Sequence, residues 1–168
     1  MKRRIVPFLS AGPLPEWWEP LFEASGNDSV FLSPAWMSHW IDVYGADFTG
    51  SWVHWEAGGR VVAGCLLVER VIRVKGVPFR SQFLNATGKA GSPTPLAEFN
   101  DVLHLPGHAD AVAADFVHLL QERSWGRLLL SGHEHGGVVG RALAHVGGTQ
   151  TEQRRQPSPF VDLRALGD

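Results

Sequence analysis

The chain has 168 residues and a formal net charge of −2, a length that suits one domain with a core of its own. This charge excludes the basic surface that non-specific binding to nucleic acids or to anionic membranes requires. The single cysteine, Cys65, excludes a disulfide framework within the chain. Its place in an apolar run predicts a buried, unreactive thiol.

The N-terminal segment is basic at residues 2–4 but is interrupted by Pro7, Pro13 and Pro15. It therefore forms neither the core of a signal peptide nor a membrane span, and we expect a cytoplasmic protein. Residues 1–29 are predicted to be an extended lead that becomes partly helical, with a short helix between Glu16 and Ala24. Residues 30–168 are predicted to form one domain.

A helix is predicted to begin after Ser33. The serine side chain can cap the helix, and Pro34 suits the first helical position because no hydrogen bond is lost there. Gly45 is predicted to end the helix in a left-handed conformation. The apolar positions between them follow helical spacing: Trp36, Met37, Trp40, Ile41 and Tyr44.

The middle of the chain has the pattern of strands. Two runs with strand periodicity, Ser51 to Ala57 and the β-branched run Arg60 to Val74, flank a Gly58-Gly59 turn and predict an antiparallel hairpin. A third strand is predicted from Val77 to Leu84. A loop over residues 85–95 and a strand from Leu96 to Leu105 follow.

In the last third of the chain, the spacing of apolar residues alternates between that of helices and that of strands. A helix from about Ala109 to Arg123, a strand from Arg127 to Ser131, a helix from Val138 to Val146 and a strand between Thr149 and Leu163 are predicted. Together with the hairpin, these elements indicate an α+β fold. We expect a three-layer sandwich, in which helices flank a mixed, mostly antiparallel sheet.

Two segments invite a chemical interpretation. The histidines of His133-Glu134-His135 could bind a metal, but no third ligand is visible nearby, and we predict no metal site. The glycines between residues 132 and 140 could cradle a phosphate, but their spacing matches no nucleotide-binding motif, which favours a plain turn. No nucleophile lies near a histidine base, so no catalytic residue is identified.

The chain contains seven tryptophans. Trp36 and Trp40, one helical turn apart, are more typical of core or interface anchors than of platforms for sugars. Trp52 and Trp55 point to opposite faces of a regular strand. At least one of them must therefore meet a helix, a partner or solvent.

Several segments resemble one family when they are taken together. Residues 31–37, with Trp40 and Tyr44-Gly45, resemble the opening helix of the GNAT-fold acyltransferases related to the CelD cellulose-biosynthesis protein and to the FemAB-like aminoacyl transferases. Four later segments resemble motifs of that family in the same order: 83–88, 98–103, 125–130 and 158–163.

The resemblance implies a GNAT-like sandwich and transfer of an acyl group to an amine or hydroxyl of a sugar or peptide. The donor would be an acyl-CoA, such as acetyl-CoA, or an aminoacyl ester. Such proteins join two GNAT-like halves, and the donor loop belongs to the second. This chain resembles the N-terminal half. We therefore expect it to bind no cofactor itself, to be inactive alone, and to be completed by the C-terminal half or by a second copy.

Within this resemblance, four residues are expected to contact the acceptor: Asn85, Gly88, Glu98 and Asn100. Glu98 and Asn100 would share one face of the predicted strand. Two other hypotheses stay open. The chain could be a tryptophan-rich module that binds a carbohydrate or peptide without catalysis, or a complete enzyme that builds its site from two copies.

Overall fold

The computed structural model of the protein describes residues 1–9, 12–88, 99–122, 126–133 and 136–146. Within these ranges lie six strands and four helices. The strands are β1 (Lys2–Pro7), β2 (Thr49–Ala57), β3 (Arg60–Val74), β4 (Val77–Leu84), β5 (Leu103–His104) and β6 (Arg127–Leu129). The helices are α1 (Trp18–Ser25), α2 (Pro34–Tyr44), α3 (Ala109–Glu122) and α4 (Val138–Leu143).

The six strands form one sheet in the order β1-β2-β3-β4-β6, with β5 beside β3. Every pairing is antiparallel except that of β4 with β6, which is parallel. The long strand β3 changes partner along its length. Ala63 and Gly64 pair with β5, whereas the residues from Leu67 onward pair with β4. The predicted α+β sandwich with a mixed, mostly antiparallel sheet is confirmed.

The N-terminal segment, residues 1–29, begins with a strand of the sheet. β1 pairs with β2 in a register that places Lys2 opposite Glu56. The Arg3 guanidinium reaches over the sheet to α3, where it donates to Asp115 Oδ2 at 3.1 Å and forms an ion pair with Glu122. β1 is thereby attached both to its neighbouring strand and to a helix. The short helix that follows, α1, agrees with its prediction.

The predicted hairpin is confirmed with its Gly58-Gly59 turn. β2 and β3 meet at Gly58 and Gly59, which both have positive φ angles, and β3 and β4 meet at Lys75 and Gly76, which do so as well. Positive φ is the conformation that two-residue hairpin turns require and that glycine adopts without strain.

Helix α2 confirms its predicted start and its predicted end at Gly45, but not the predicted conformation of that glycine. The Ser33 hydroxyl accepts a hydrogen bond from the Trp36 N–H at 3.3 Å, as an N-cap does. Gly45, however, has φ −60° and ψ −28°, so the expected left-handed cap is wrong. The backbone instead tightens into a short 3₁₀ turn, Gly45–Asp47.

Helices cover both faces of the sheet, and the tryptophans of β2 show how. Trp52 is buried on the side of α1, where its ring lies 5.4 Å from that of Trp18. Trp55 is fully buried on the other side, where its Nε1 donates to Asp115 Oδ2 of α3 at 2.6 Å. The prediction of opposite faces is confirmed, and both rings meet helices. Cys65 is buried, as predicted.

The strand predicted from Leu96 to Leu105 is shorter where the structure describes it. Only Leu103 and His104 are in a strand, and the expectation is wrong for residues 99–102. Phe99 has a φ of 52°, which strands do not contain. The strand predicted near the C-terminus lies outside the described residues. The helices α3 and α4 and the short strand β6 agree with their predictions.

In the part of the chain that the structure describes, no helix is both long enough and apolar enough to cross a membrane.

Candidate functional site

The parallel pair β4–β6 forms the candidate site. Its ladder covers three residue pairs, from Ser81 with Arg127 to Phe83 with Leu129. After Phe83 and Leu129, the segments that follow β4 and β6 are no longer paired with each other. In sheets with parallel strands, ligands bind in the crevice outside the carboxyl ends of neighbouring strands. We refer to the region between Leu84 and Ser131, where the ladder has ended, as the β4–β6 crevice.

Asn100 crosses this crevice. Its Nδ2 donates to the carbonyl oxygen of Leu84 at 2.7 Å and to that of Ser131 at 3.3 Å. Its backbone N–H donates to the carbonyl oxygen of Gly132 at 2.8 Å. The residue is completely buried. One side-chain amide therefore joins the segment that follows β4 to the segment that follows β6.

Asn85 lies next to Asn100 and is also buried. Its backbone N–H donates to the carbonyl oxygen of Leu66, and its Oδ1 accepts from the N–H of Leu66, each at 2.8 Å. The residue therefore continues the hydrogen bonding between β4 and β3 just beyond the end of β4. Its Nδ2 donates to Asn100 Oδ1 at 2.9 Å and to the carbonyl of Asp101 at 3.0 Å. A φ of 42° permits this geometry, and asparagine tolerates it better than most residues.

The two amides thus use their donors and acceptors within the chain. A buried polar network of this kind stabilises a specific backbone arrangement. The structure brings together two of the four residues expected to contact the acceptor and gives both a role inside the fold. Their contact with an acceptor stays a prediction.

Gly88 allows close packing in the loop after β4. Its φ is 63°, and a Cβ atom there would lie 2.2 Å from the ring of Phe83. No other residue type fits without moving that ring. Arg70 holds the preceding residue, since its Nη1 donates to the carbonyl of Thr87 at 3.2 Å. Glu98, the fourth expected contact, lies outside the described residues.

Asp101 links the crevice to α4. Its Oδ1 accepts from the N–H of Val102 at 2.7 Å and from that of Val139 at 2.9 Å. Burial raises the pKa of this carboxyl above its ordinary value, although hydrogen bonds from backbone N–H groups act in the opposite direction. One backbone N–H at the start of α4 thus already donates to this carboxyl group. This supports the interpretation of the glycines between residues 132 and 140 as a plain turn.

Sequence reasoning did not identify Asp101. Its bond to Val139 spans 38 residues. Side-chain caps that can be read from sequence lie within a few residues of the helix start. No local signal could therefore have revealed this one.

The histidine segment after β6 is described only at its first residue. His133 Nδ1 lies 2.9 Å from the carbonyl oxygen of Leu130, a contact within its own loop. Glu134 and His135 lie outside the described residues. Among the residues that the structure does describe, no three His, Cys, Asp or Glu side chains lie close enough together to hold a metal ion.

The tryptophans do not form an exposed platform in the described part of the chain. Trp18, Trp40, Trp52 and Trp55 are buried, whereas Trp17 and Trp36 are half-buried. Sugars stack on accessible aromatic faces. This burial counts against the hypothesis of a tryptophan-rich carbohydrate-binding module.

Comparison with known proteins identifies the fold. No protein-family model matches the sequence, and no curated protein matches it either. Among solved structures, a ribosomal-protein-alanine N-acetyltransferase from Brucella melitensis biovar Abortus 2308 is similar, with a TM-score of 0.51 and 14% sequence identity. The similarity covers 95% of this chain and 100% of the other.

A probable acetyltransferase gives the same TM-score and identity, over 95% of this chain and 99% of its own. Together with the six-stranded sheet and its flanking helices, these likenesses show that the chain has the GNAT fold. At this level of identity they establish the fold alone.

Proposed function

We propose that this chain is an acyltransferase domain, related to the CelD and FemAB-like group, that acts in the cytoplasm. It takes part in the transfer of an acyl group to an amine or hydroxyl of a sugar or peptide. The observation that carries the proposal is the β4–β6 crevice within a GNAT fold. Two proteins with this fold are named as acetyltransferases, one of them acting on alanine of a ribosomal protein.

The donor is proposed to be an acyl-CoA or an aminoacyl ester that this chain does not bind by itself. Asn100 supports this because its side chain bonds the carbonyls of Leu84 and Ser131, and a donor placed between them would have to break those bonds. A buried carbonyl left without a donor is costly. We propose that the donor is held by a second GNAT-like domain or by a second copy of the chain.

The acceptor is proposed to bind at the rim of the crevice. The loop at Asn85 and Gly88 and the segment that begins with Asn100 form this rim, and Glu98 is proposed as a further contact. Because the buried side chains of Asn85 and Asn100 are held by hydrogen bonds, they would keep the backbone of this rim rigid. Fixed groups position an acceptor nucleophile at low entropic cost.

The proposal is tested by nuclear magnetic resonance of the ¹⁵N-labelled chain, titrated with glucosamine and with a short peptide bearing a free amine. We expect one of these acceptors to shift the resonances of Asn85, Gly88 and Asn100. A response confined to other residues, or none, contradicts the acceptor site.

The donor is tested separately by calorimetry with acetyl-CoA and by an assay for released thiol. We expect no saturable binding up to about 1 mM and no thiol release by the chain alone. Saturable binding with turnover would show that the chain is a complete enzyme. If that activity appears only at concentrations at which the chain is a dimer, two copies build the site.

A further inference from the structure

We propose that the outer edge of β1 binds a second copy of the chain, so that the two sheets continue into one another. β1 stands at one end of the strand order, and among the described strands only β2 pairs with it. Met1, Ile5, Val6 and Leu9, on this strand or next to it, are between 43% and 74% exposed. An exposed apolar edge strand is a template for pairing with another chain.

The register of β1 shows which backbone groups its outer edge offers. Phe8 N–H donates to the carbonyl oxygen of Gly50 at 3.0 Å, so these residues form a hydrogen-bonded pair. Such pairs alternate along an antiparallel ladder. The backbone groups of Arg3, Ile5 and Pro7 therefore point away from β2. Arg3 and Ile5 offer both an N–H and a carbonyl, whereas Pro7 offers only a carbonyl.

A second copy fits this edge in an antiparallel register centred on Ile5. A two-fold axis sets Ile5 against Ile5 of the second copy, and each Ile5 N–H then donates to the other Ile5 carbonyl. Each Arg3 N–H donates to the Pro7 carbonyl of the other copy. The same register brings Met1 opposite Leu9. The exposed apolar side chains of the two copies thus meet each other.

The charges and the proline of β1 disfavour the neighbouring registers. Pairing centred on Arg3 would set Arg3 against itself and Lys2 against Arg4, and like charges directly opposite each other destabilise a sheet. Pairing centred on Pro7 would oppose two residues without an N–H. The strand therefore favours the register centred on Ile5.

The ion pairs of β1 favour a second copy over an acidic peptide. Arg3 already pairs with Asp115 and Glu122 of its own chain, and Arg4 Nε lies 3.1 Å from Glu56 Oε1. Because these arginines are neutralised within the chain, the edge does not call for an acidic strand. A second copy brings its own arginines neutralised in the same way.

This inference goes beyond acyl transfer. β6, which forms the β4–β6 crevice, stands at the other end of the described strand order. Pairing through β1 would therefore place the two crevices at the far ends of the joined sheet, where neither completes the other. A strand of six residues gives a small interface, and small interfaces are typical of weak, reversible dimers.

The first test is sedimentation of the intact chain over a range of concentrations. We expect a monomer–dimer equilibrium with a Kd of about 100 µM. Ile5→Lys sets like charges opposite each other and should weaken the dimer at least ~10-fold. Ile5→Pro removes an N–H that points away from β2 and should do the same while β1 stays paired with β2. Val71→Lys, at an exposed position of β3, is the control and should leave the Kd unchanged.

The second test examines the register. Residues in a hydrogen-bonded pair have Cα atoms about 5.5 Å apart, within reach of a disulfide. Ile5→Cys should therefore link two copies under mild oxidation. Val6→Cys should do so far less, because the two side chains would be diagonal neighbours roughly 7–8 Å apart. The natural Cys65 is buried and should not take part.

Three outcomes overturn the inference: a monomer at every concentration, a dimer that folded Ile5→Lys leaves unchanged, or equal cross-linking of Ile5→Cys and Val6→Cys. The acyl-transfer proposal fails separately. Ile5→Lys should leave the acceptor response at Asn85 and Asn100 unchanged, so loss of the dimer and loss of acceptor binding are distinguished in the same variant.

Discussion

Asn85 Nδ2 and Asn100 Oδ1 lie 2.9 Å apart, in a buried hydrogen bond between the end of β4 and the segment that crosses the crevice. Asn85 bonds β3 through Leu66, and Asn100 bonds the chain after β6 through Ser131. The single contact between the two amides therefore connects the middle of the sheet to its parallel edge.

Replacing Asn100 should destabilise the fold. In Asn100→Ala, the carbonyl of Leu84 and the amide of Asn85 lose a buried partner. We expect the free energy of unfolding to fall by about 3 kcal/mol, as measured by urea denaturation. Gln121→Ala, at an exposed position of α3, is the control and should stay within about 0.5 kcal/mol of the unsubstituted chain. A loss for Asn100→Ala no larger than that of the control would contradict the role of the network.

Asp101 should make stability depend on pH. Burial raises its pKa in the folded chain above the ordinary value of 3.8, so between these two values the folded chain binds more protons than the unfolded chain. The contribution of this group to stability is therefore greatest below the ordinary value and falls as pH rises through the window. Above the raised pKa, the contribution of Asp101 to stability no longer changes with pH.

The measurement compares the chain with Asp101→Asn, which keeps an oxygen to accept from Val102 and Val139 but does not titrate. Urea unfolding over a series of pH values should show the stability of the unsubstituted chain, relative to the variant, decreasing as pH rises. An increase would mean that hydrogen bonding to the carboxylate outweighs its burial.

Gly64 should resist even the smallest substitution. A Cβ atom there would lie 2.3 Å from Cζ3 of Trp17, whose ring also packs against Trp18 and His54. Gly64→Ala should therefore cost about 2 kcal/mol and alter the tryptophan fluorescence. Thermal and urea unfolding measure the loss. Gly136→Ala is the matched control, because its Cβ would meet nothing within 4 Å. Equal stability of the two variants would show that the ring of Trp17 moves aside freely.

Local signals account for what could be predicted from the sequence. Ser33 and Pro34 define a helix start through atoms within one turn, and Gly58-Gly59 defines a hairpin through the conformations available to glycine. These elements were predicted because the interactions that determine them lie between near neighbours. The helix end at Gly45 was predicted as well, but its right-handed conformation was not, because glycine adopts both conformations easily.

The candidate site could be predicted only in part. Asn85 and Asn100 were selected from motifs, but nothing local indicates that they bond each other or that Asn100 bridges Leu84 and Ser131. The hydrogen bond between Gln82 and Glu69 was not predicted either, since these residues meet only once β3 and β4 have paired. Contacts between distant parts of a chain depend on the whole arrangement of strands.

The attachment of β1 to β2 also affects how the chain folds during synthesis. β1 occupies residues 2–7, yet its partners in the ladder run from Ser51 to Glu56. Synthesis proceeds from the N-terminus, so β1 leaves the ribosome long before the strand that it pairs with. Its residues Ile5 and Val6 stay 43% and 47% exposed even in the finished fold. Strand β1 must therefore wait for its partner until the nascent chain has grown through both helices that separate it from β2.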